Sequence, residues 1–198
     1  TVLVHYLRQK FHPALASGHL ELIEGDVLKT DLRAFHPRPV IAGNLPYYIT
    51  SPILEKTFSL RGGWERAVFL VQAEGAARIT ASPGSRDFGY LSVMVQAQSA
   101  PELLFPVPRA AFRPPPNVDS AVVRLTPRDA SAELEIPDMP AFLKFAQICF
   151  HMKRKTLRNN LATAYGLEKV SALPEAKLRA EQVSVEDLAA LYRKLSHG

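Results

Sequence analysis

Residues 67–71 read Ala67-Val68-Phe69-Leu70-Val71, a near-continuous apolar run that ends at Gln72. Such a run fits a central strand buried on both sides of a parallel sheet better than a half-exposed edge strand. Upstream, Leu20-Glu21-Leu22-Ile23 reads as a short strand followed by Gly25-Asp26, and Pro39-Val40-Ile41-Ala42 as another followed by Gly43-Asn44. Helical patterns lie between them, notably over 51–60, with Ser51 or Thr50 as cap and Pro52 near the first turn. Strands alternating with helices predict an α/β fold with a parallel sheet covered on both faces.

Downstream, Leu103-Leu104-Phe105 and Ala121-Val122-Val123-Arg124-Leu125 read as strands flanking the turn Pro114-Pro115-Pro116, a place for antiparallel closure of the sheet. The stretch 126–140, with Pro127, Pro137, Pro140 and scattered charges, reads as a linker. Beyond it the pattern is helical over roughly 139–151, 153–164 and 184–196, the last capped by Ser184 with Asp187 three residues on. The expected organisation is an α/β domain over 1–130 and a small all-helical domain over 131–198.

The 198 residues are 47% hydrophobic, with 24 Lys and Arg against 19 Asp and Glu, a net charge of +5. That supply of apolar side chains supports a real core and excludes a disordered chain. Cys149 is the only cysteine, which excludes a disulfide scaffold and suits a reducing cytoplasm. No window approaches 18 consecutive apolar residues, so no membrane span is expected. The six histidines show no metal-ligand spacing, and Gly-x-Ser-x-Gly is absent. Trp64, after Gly62-Gly63, reads as a loop anchor.

The chain opens at Thr1 in a helical pattern, with Val2, Leu3, Tyr6, Leu7 and Phe11 recurring on one side. No signal peptide pattern precedes it. A helix of that kind with no strand before it leaves its apolar face unpartnered, so an opening segment of the domain is expected to be missing.

The segment that carries chemistry is Gly43-Asn44-Leu45-Pro46-Tyr47-Tyr48. It follows a predicted strand, at the carboxyl rim where open α/β sheets bind ligands. Asp26 belongs to the same rim. Asn44 supplies an amide oxygen that accepts a hydrogen bond from an amino group. Pro46 lacks an N–H and fixes the turn, and it pushes Leu45 toward an extended conformation that can aim its carbonyl outward. Tyr47 provides a flat face for stacking.

Two acceptors and a ring are what the exocyclic amine of a nucleobase needs. The amino nitrogen of adenine is a poor nucleophile because its lone pair is delocalised into the ring. Acceptors drawing on its hydrogens localise that lone pair, and positioning against an electrophilic methyl group supplies most of the acceleration. Entry requires an unstacked base, which costs least in a single-stranded loop.

Positive charge collects late in the chain. Residues 151–198 hold nine Lys and Arg against five Asp and Glu, so they carry +4 of the +5. Lys153, Arg154, Lys155 and Arg158 fall within ten residues that contain no acid, beside Asn159 and Asn160. Clustered cations next to hydrogen-bonding amides suit a polyanion such as RNA.

Four blocks in order resemble the small-subunit (16S) ribosomal RNA adenine dimethyltransferases. Asn44-Leu45-Pro46-Tyr47 is similar to that family's catalytic motif, and Phe112-Arg113-Pro114-Pro115-Pro116-Asn117-Val118-Asp119-Ser120-Ala121-Val122-Val123 to its proline-rich loop and final strand. The run Phe150 to Leu161 is similar to its basic C-terminal helix. Gly89-Tyr90-Leu91-Ser92-Val93-Met94-Val95-Gln96 is a fourth, weaker block. The resemblance implies a Rossmann-like methyltransferase sheet that uses S-adenosyl-L-methionine.

Under it, Asn44 and the Leu45 carbonyl accept from the target amino group, and Asn44 also faces the cofactor. Tyr47 stacks on the base and Phe112 closes over it. Asp26, with Val27 beside it, holds the cofactor's adenine, and Lys153, Arg154, Lys155 and Arg158 track RNA phosphates. The implied reaction is N6,N6-dimethylation of two adjacent adenines in a hairpin loop near the 3′ end of 16S rRNA. The implied partner is the immature 30S subunit, met by a cytoplasmic monomer without metal. The rival expectations are the related 23S adenine methyltransferases of antibiotic resistance and a non-catalytic ribosome-assembly factor.

The chain departs from the pattern at its front. No Gly-x-Gly occurs in the 198 residues, and the helix from Thr1 to Phe11 matches the one that follows the family's ribose-binding acid. A chain that truly begins at Thr1 is therefore expected not to bind S-adenosylmethionine usefully. A smaller departure is Gln72-Ala73-Glu74-Gly75, where a basic residue is expected after the glutamine.

Overall fold

The computed structural model describes residues 2–61 and 63–196; Thr1, Gly62 and one of the six histidines, His197, lie outside the described residues. Its centre is a four-stranded sheet of β1 (Val40–Asn44), β2 (Arg66–Gln72), β3 (Ser99–Val107) and β4 (Ser120–Pro127), in the order β1-β2-β4-β3. β1 and β2 are parallel, with Asn44 opposite Leu70. β4 returns antiparallel between β2 and β3, which is the closure expected around the proline-rich turn.

The apolar run at 67–71 is indeed the strand between β1 and β4, but it alternates. Ala67, Phe69 and Val71 are buried while Val68 and Leu70 are half-buried. Across the antiparallel ladder Ala67 faces Leu125, Phe69 faces Val123 and Val71 faces Ala121, and all six line one core face. The expectation that the run is buried on both sides is corrected: its second face, carrying Val68 and Leu70, is only half-buried.

This face packs with α3 (Thr50–Phe58), α4 (Ala73–Ile79) and α5 (Tyr90–Gln96) through Leu54, Phe58, Ala76, Ile79, Met94 and Val95. Trp64 is sealed in the same cluster, tilted against Phe58 at 6.3 Å between ring centroids. The helix after β1 begins at Thr50, and its cap is Ile49 without a side-chain bond. The Thr50 hydroxyl instead reaches back to the Tyr47 carbonyl at 3.3 Å, so neither Thr50 nor Ser51 caps it.

Upstream, α1 (Val2–Lys10) and α2 (His12–Ala16) bury none of their residues, and Val2 is 90% exposed. The strand expected at 20–23 is irregular backbone. Among the described residues no strand lies beside it, and a strand without a ladder leaves its N–H and C=O groups unpaired.

The helical part comprises α6 (Ala130–Glu133), α7 (Met139–Cys149), α8 (Leu157–Tyr165), α9 (Leu167–Ser171) and α10 (Val185–Ser196). Its core gathers Phe142, Phe145, Leu157, Leu161, Leu188 and Tyr192, with Phe88 and Val93 contributed from the sheet side. The stretch 126–140 is not a loose linker. Asp129 caps α6 by accepting from the Ser131 and Ala132 amides, and Leu134 and Ile136 are buried in the helical core. Arg128 ties the seam by bonding Glu133, Glu186 and the Gln96 carbonyl. α10 is capped as its sequence predicts, the Ser184 hydroxyl accepting from the Asp187 amide at 3.0 Å and donating to its carboxylate at 2.7 Å.

Candidate active site

β1 delivers the motif to the carboxyl rim. Gly43 has to be small there, because a Cβ would lie 3.0 Å from Leu45 Cδ2 and 3.5 Å from Phe69 Cδ1. Asn44 follows with its side chain exposed and engaged by no described residue. Leu45 turns inward: its side chain is buried at 5% exposure, and its amide donates to the Leu70 carbonyl at 3.1 Å, extending the β1–β2 register by one residue.

Pro46 (φ −59°, ψ 126°) then directs the chain into a 3-10 turn over Tyr47–Ile49, closed by the Ile49 amide on the Pro46 carbonyl at 3.0 Å. The Leu45 carbonyl accepts no hydrogen bond from the described residues. The rim therefore carries two uncommitted oxygens on consecutive residues, held by a buried leucine and a proline.

Tyr47 is half-buried, and its hydroxyl is 2.8 Å from the Ser120 hydroxyl. Ser120 is fully buried and opens β4, paired with Gln72 of β2 and Val107 of β3. The Asn44–Tyr47 segment and the end of the proline-rich loop are thus joined at one atom pair, between residues 73 positions apart. Sequence reasoning missed Ser120 as an anchor; the signal available was a serine opening an otherwise apolar strand.

The loop itself is braced by the Arg109 amide on Asp119 Oδ1 at 2.8 Å and by the Ala73 amide on the Asp119 carbonyl at 2.9 Å. Phe112 sits half-buried at the end of its 3-10 turn, next to a cis Arg113–Pro114 peptide. Tyr48, by contrast, is 87% exposed.

Asp26 lies in irregular backbone rather than after a strand. Its Oδ1 accepts from the Leu28 amide at 3.0 Å, and Lys29 Nζ stands 3.9 Å from Oδ2. None of its hydrogen bonds reaches beyond Thr30, so the structure gives it an Asx-turn and leaves Oδ2 without a hydrogen bond, facing only the exposed Lys29 ammonium. Val27 beside it is exposed.

The basic run is placed differently from its expected helix. Lys153, Arg154 and Lys155 occupy a turn closed by the Lys155 amide on Met152 O at 2.9 Å, and α8 starts only at Leu157. All three and Arg158 are exposed and unpaired with any described acid. Arg86 and Arg179, from distant segments, line a cleft of about 400 Å³ together with Lys153, Arg154 and one acid, Glu181, which stands 3.9 Å from Arg179. No local sequence signal joins those four cations.

Asn160 is not an RNA ligand. It is buried, donating to the Cys149 carbonyl at 2.8 Å and the Met152 carbonyl at 3.3 Å while accepting from the Met152 amide at 3.0 Å. Burial pushes the thiol of Cys149, at the same turn, well above the usual cysteine range.

The family model described as ribosomal RNA adenine dimethylase matches residues 1–196. This chain belongs to that family. Among its curated members, the ribosomal RNA small subunit methyltransferase A of Chlorobaculum parvum is 42% identical over 196 residues, covering 98% of this chain and 68% of that protein. Its namesake from Acidobacterium capsulatum is 46% identical over 184 residues, covering 88% and 64%. The chain spans about two thirds of the length of the curated dimethylases it matches.

Two solved structures share the fold. A dimethyladenosine transferase from Plasmodium falciparum superposes with a TM-score of 0.74 at 26% identity, covering 93% of this chain and 74% of that one. The 23S rRNA methyltransferase ErmE gives 0.69 at 26%, covering 98% and 78%. The sheet is therefore the Rossmann-like sheet of rRNA methyltransferases, and the family is one of rRNA-modifying enzymes. Among the described residues, no group of His, Cys, Asp or Glu is placed to hold a metal ion, and no helix is long and apolar enough to cross a membrane.

Proposed function

We propose that the protein carrying this chain transfers methyl groups from S-adenosyl-L-methionine to N6 of two adjacent adenines in a hairpin loop near the 3′ end of 16S rRNA. In this reading residues 1–130 belong to the methyltransferase domain and 131–198 form the helical RNA-binding domain. The observation that carries it is the pair of open acceptors, the Asn44 side chain and the Leu45 carbonyl, beside a tyrosine tied to buried Ser120. The relatives named small subunit methyltransferase A favour the small subunit as substrate.

The residues present suit one end of the cofactor. Asp26 keeps a carboxylate oxygen free of hydrogen bonds for an adenine amino group, and Asn44 is uncommitted at the rim. S-adenosylmethionine, when bound, supplies an electrophilic methyl carbon on a sulfonium. This chain's own residues hold the acceptor. Asn44 Oδ1 and the Leu45 carbonyl each take one N–H bond from N6, which localises the lone pair and aims it. Tyr47 and Phe112 hold the flipped base between them. With the cofactor bound, its methyl group would be within reach of the lone pair that Asn44 and Leu45 aim, and N6 would release one proton to solvent for each methyl it gains. No side-chain base of shifted pKa is needed, because the acceleration comes from orientation. The exposed cations of 153–158, extended by Arg86 and Arg179, bind phosphates and fix the hairpin.

The deciding experiment supplies purified small and large ribosomal subunits, lacking the modification, with labelled cofactor. Label is expected at adjacent adenines of the small-subunit RNA. Label confined to large-subunit RNA, or none with undiminished RNA binding, overturns the reading.

A further inference from the structure

A cavity of about 360 Å³ opens between the end of β2 and the proline-rich loop, lined by Gln72, Glu74, Arg109, Asn117 and Asp119. It adjoins the anchor of Tyr47, since Gln72 is the register partner of Ser120 and Asp119 precedes it. Its polar groups are largely uncommitted. The Gln72 amide and the Glu74 carboxylate bond to no described residue, and the exposed Arg109 guanidinium makes one long contact of 3.4 Å with the Asn117 carbonyl.

An amide, the Glu74 carboxylate, an Asp119 carboxylate that accepts from the Arg109 amide, and a guanidinium suit neither an apolar ligand nor one that is anionic throughout. They suit a nucleotide: the glutamine amide can pair with the N6 and N7 edge of adenine, the carboxylate accepts from an exocyclic amine, and arginine binds phosphate. Ala73 matters too. It stands between Gln72 and Glu74 and adds no charge, and the Glu74 carboxylate makes no ion pair with a described residue.

We infer that this cavity takes the adenine adjoining the one being methylated and reads its N6–H groups through Gln72 and Glu74. The inference rests on the adenine dimethylation proposed above, in which the two targets are consecutive. With one base against Tyr47, its neighbour lies one backbone step away along the same rim. A neighbour that already carries two N6 methyl groups has no N–H to donate, so the subsite distinguishes a first target from a second.

The test uses synthetic hairpin RNAs in which only the nucleotide 5′ or only the nucleotide 3′ of the target is N6,N6-dimethyladenine. Affinity is measured by fluorescence anisotropy against the unmodified hairpin. The wild-type protein is expected to bind one of the two modified hairpins about 5- to 150-fold more weakly, the range of one lost base contact. Glu74→Ala, at an exposed position, and Gln72→Ala are expected to remove that difference while keeping binding. Equal wild-type affinity for all three hairpins, or discrimination unchanged in both variants, overturns the subsite and leaves the proposed activity standing. Failure of the wild type to prefer the small-subunit hairpin over a scrambled one overturns both.

Discussion

The hydroxyls of Tyr47 and Ser120 are 2.8 Å apart, and this bond joins the loop after β1 to the first residue of a strand 73 positions later. Ser120 is fully buried and strapped between two neighbouring strands, so it has one place to be. A tyrosine on a 3-10 turn gains a fixed ring from such a partner. Tyr47→Phe leaves the Ser120 hydroxyl buried and unsatisfied, at a cost of about 1–3 kcal/mol. Ser120→Ala removes the partner without removing the ring. Each substitution is expected to lower kcat for methyl transfer more than it raises KM, and the double variant to be no worse than the poorer single one. Steady-state kinetics on small subunits check this; additive losses would show that the bond does not position the ring.

Asn44→Ala removes one of the two open acceptors from an exposed site, so folding is expected to be unaffected. Loss of a preorganised hydrogen-bonding group at a reacting centre typically costs a factor of about 10² or more in rate. Methyl transfer is expected to fall by at least that much with RNA affinity largely kept. Single-turnover labelling alongside a binding titration separates the two, and equal turnover in the variant would remove Asn44 from the chemistry.

Much of this site was legible before any coordinates. Gly43-Asn44-Leu45-Pro46-Tyr47 declares itself because its chemistry is local: a strand end, a proline and a ring in consecutive positions. The strands at 40–44, 66–72 and 120–127 were legible through their apolar runs. What failed did so for non-local reasons. Leu20 to Ile23 has strand composition but no ladder to join among the described residues. Asn160, read as a phosphate ligand, is drawn inward by the carbonyls of Cys149 and Met152, which no spacing rule reveals. Leu134 and Ile136 sit among prolines and charges, yet the helical core claims them. Ser120, Arg86 and Arg179 acquire their roles only when distant segments meet.

Arg154 and Lys155 stand exposed on a turn and make no ion pair with a described acid. Each phosphate contact contributes about 0.7–0.9 to the slope of log K against log salt. Arg154→Ala with Lys155→Ala is therefore expected to weaken RNA binding and to flatten that slope by about 1.5. Titrations at several salt concentrations give the slope directly. An unchanged slope would mean that these cations touch no phosphate, whatever happens to affinity at one salt.

Asn160 also controls that turn, and Cys149 reports on it. The Asn160 amide satisfies the carbonyls of Cys149 and Met152 and the Met152 amide, so Asn160→Ala leaves several buried groups unpaired, at about 2–3 kcal/mol. Burial holds the Cys149 thiol above its ordinary range, so it stays neutral in the folded protein at pH 8. The sign follows: deprotonation favours the unfolded chain, and stability is lost as pH rises past the unfolded thiol near 8.5. Alkylation requires the thiolate, so labelling of Cys149 proceeds only through opening of this region. A loss of 2–3 kcal/mol raises the open population, and hence the labelling rate at pH 8, by about 30- to 150-fold, with a lower thermal midpoint. Mass-resolved alkylation of the single cysteine measures it. A variant that melts early yet labels no faster would place the weakened region elsewhere and remove Asn160 as the clamp of the basic turn.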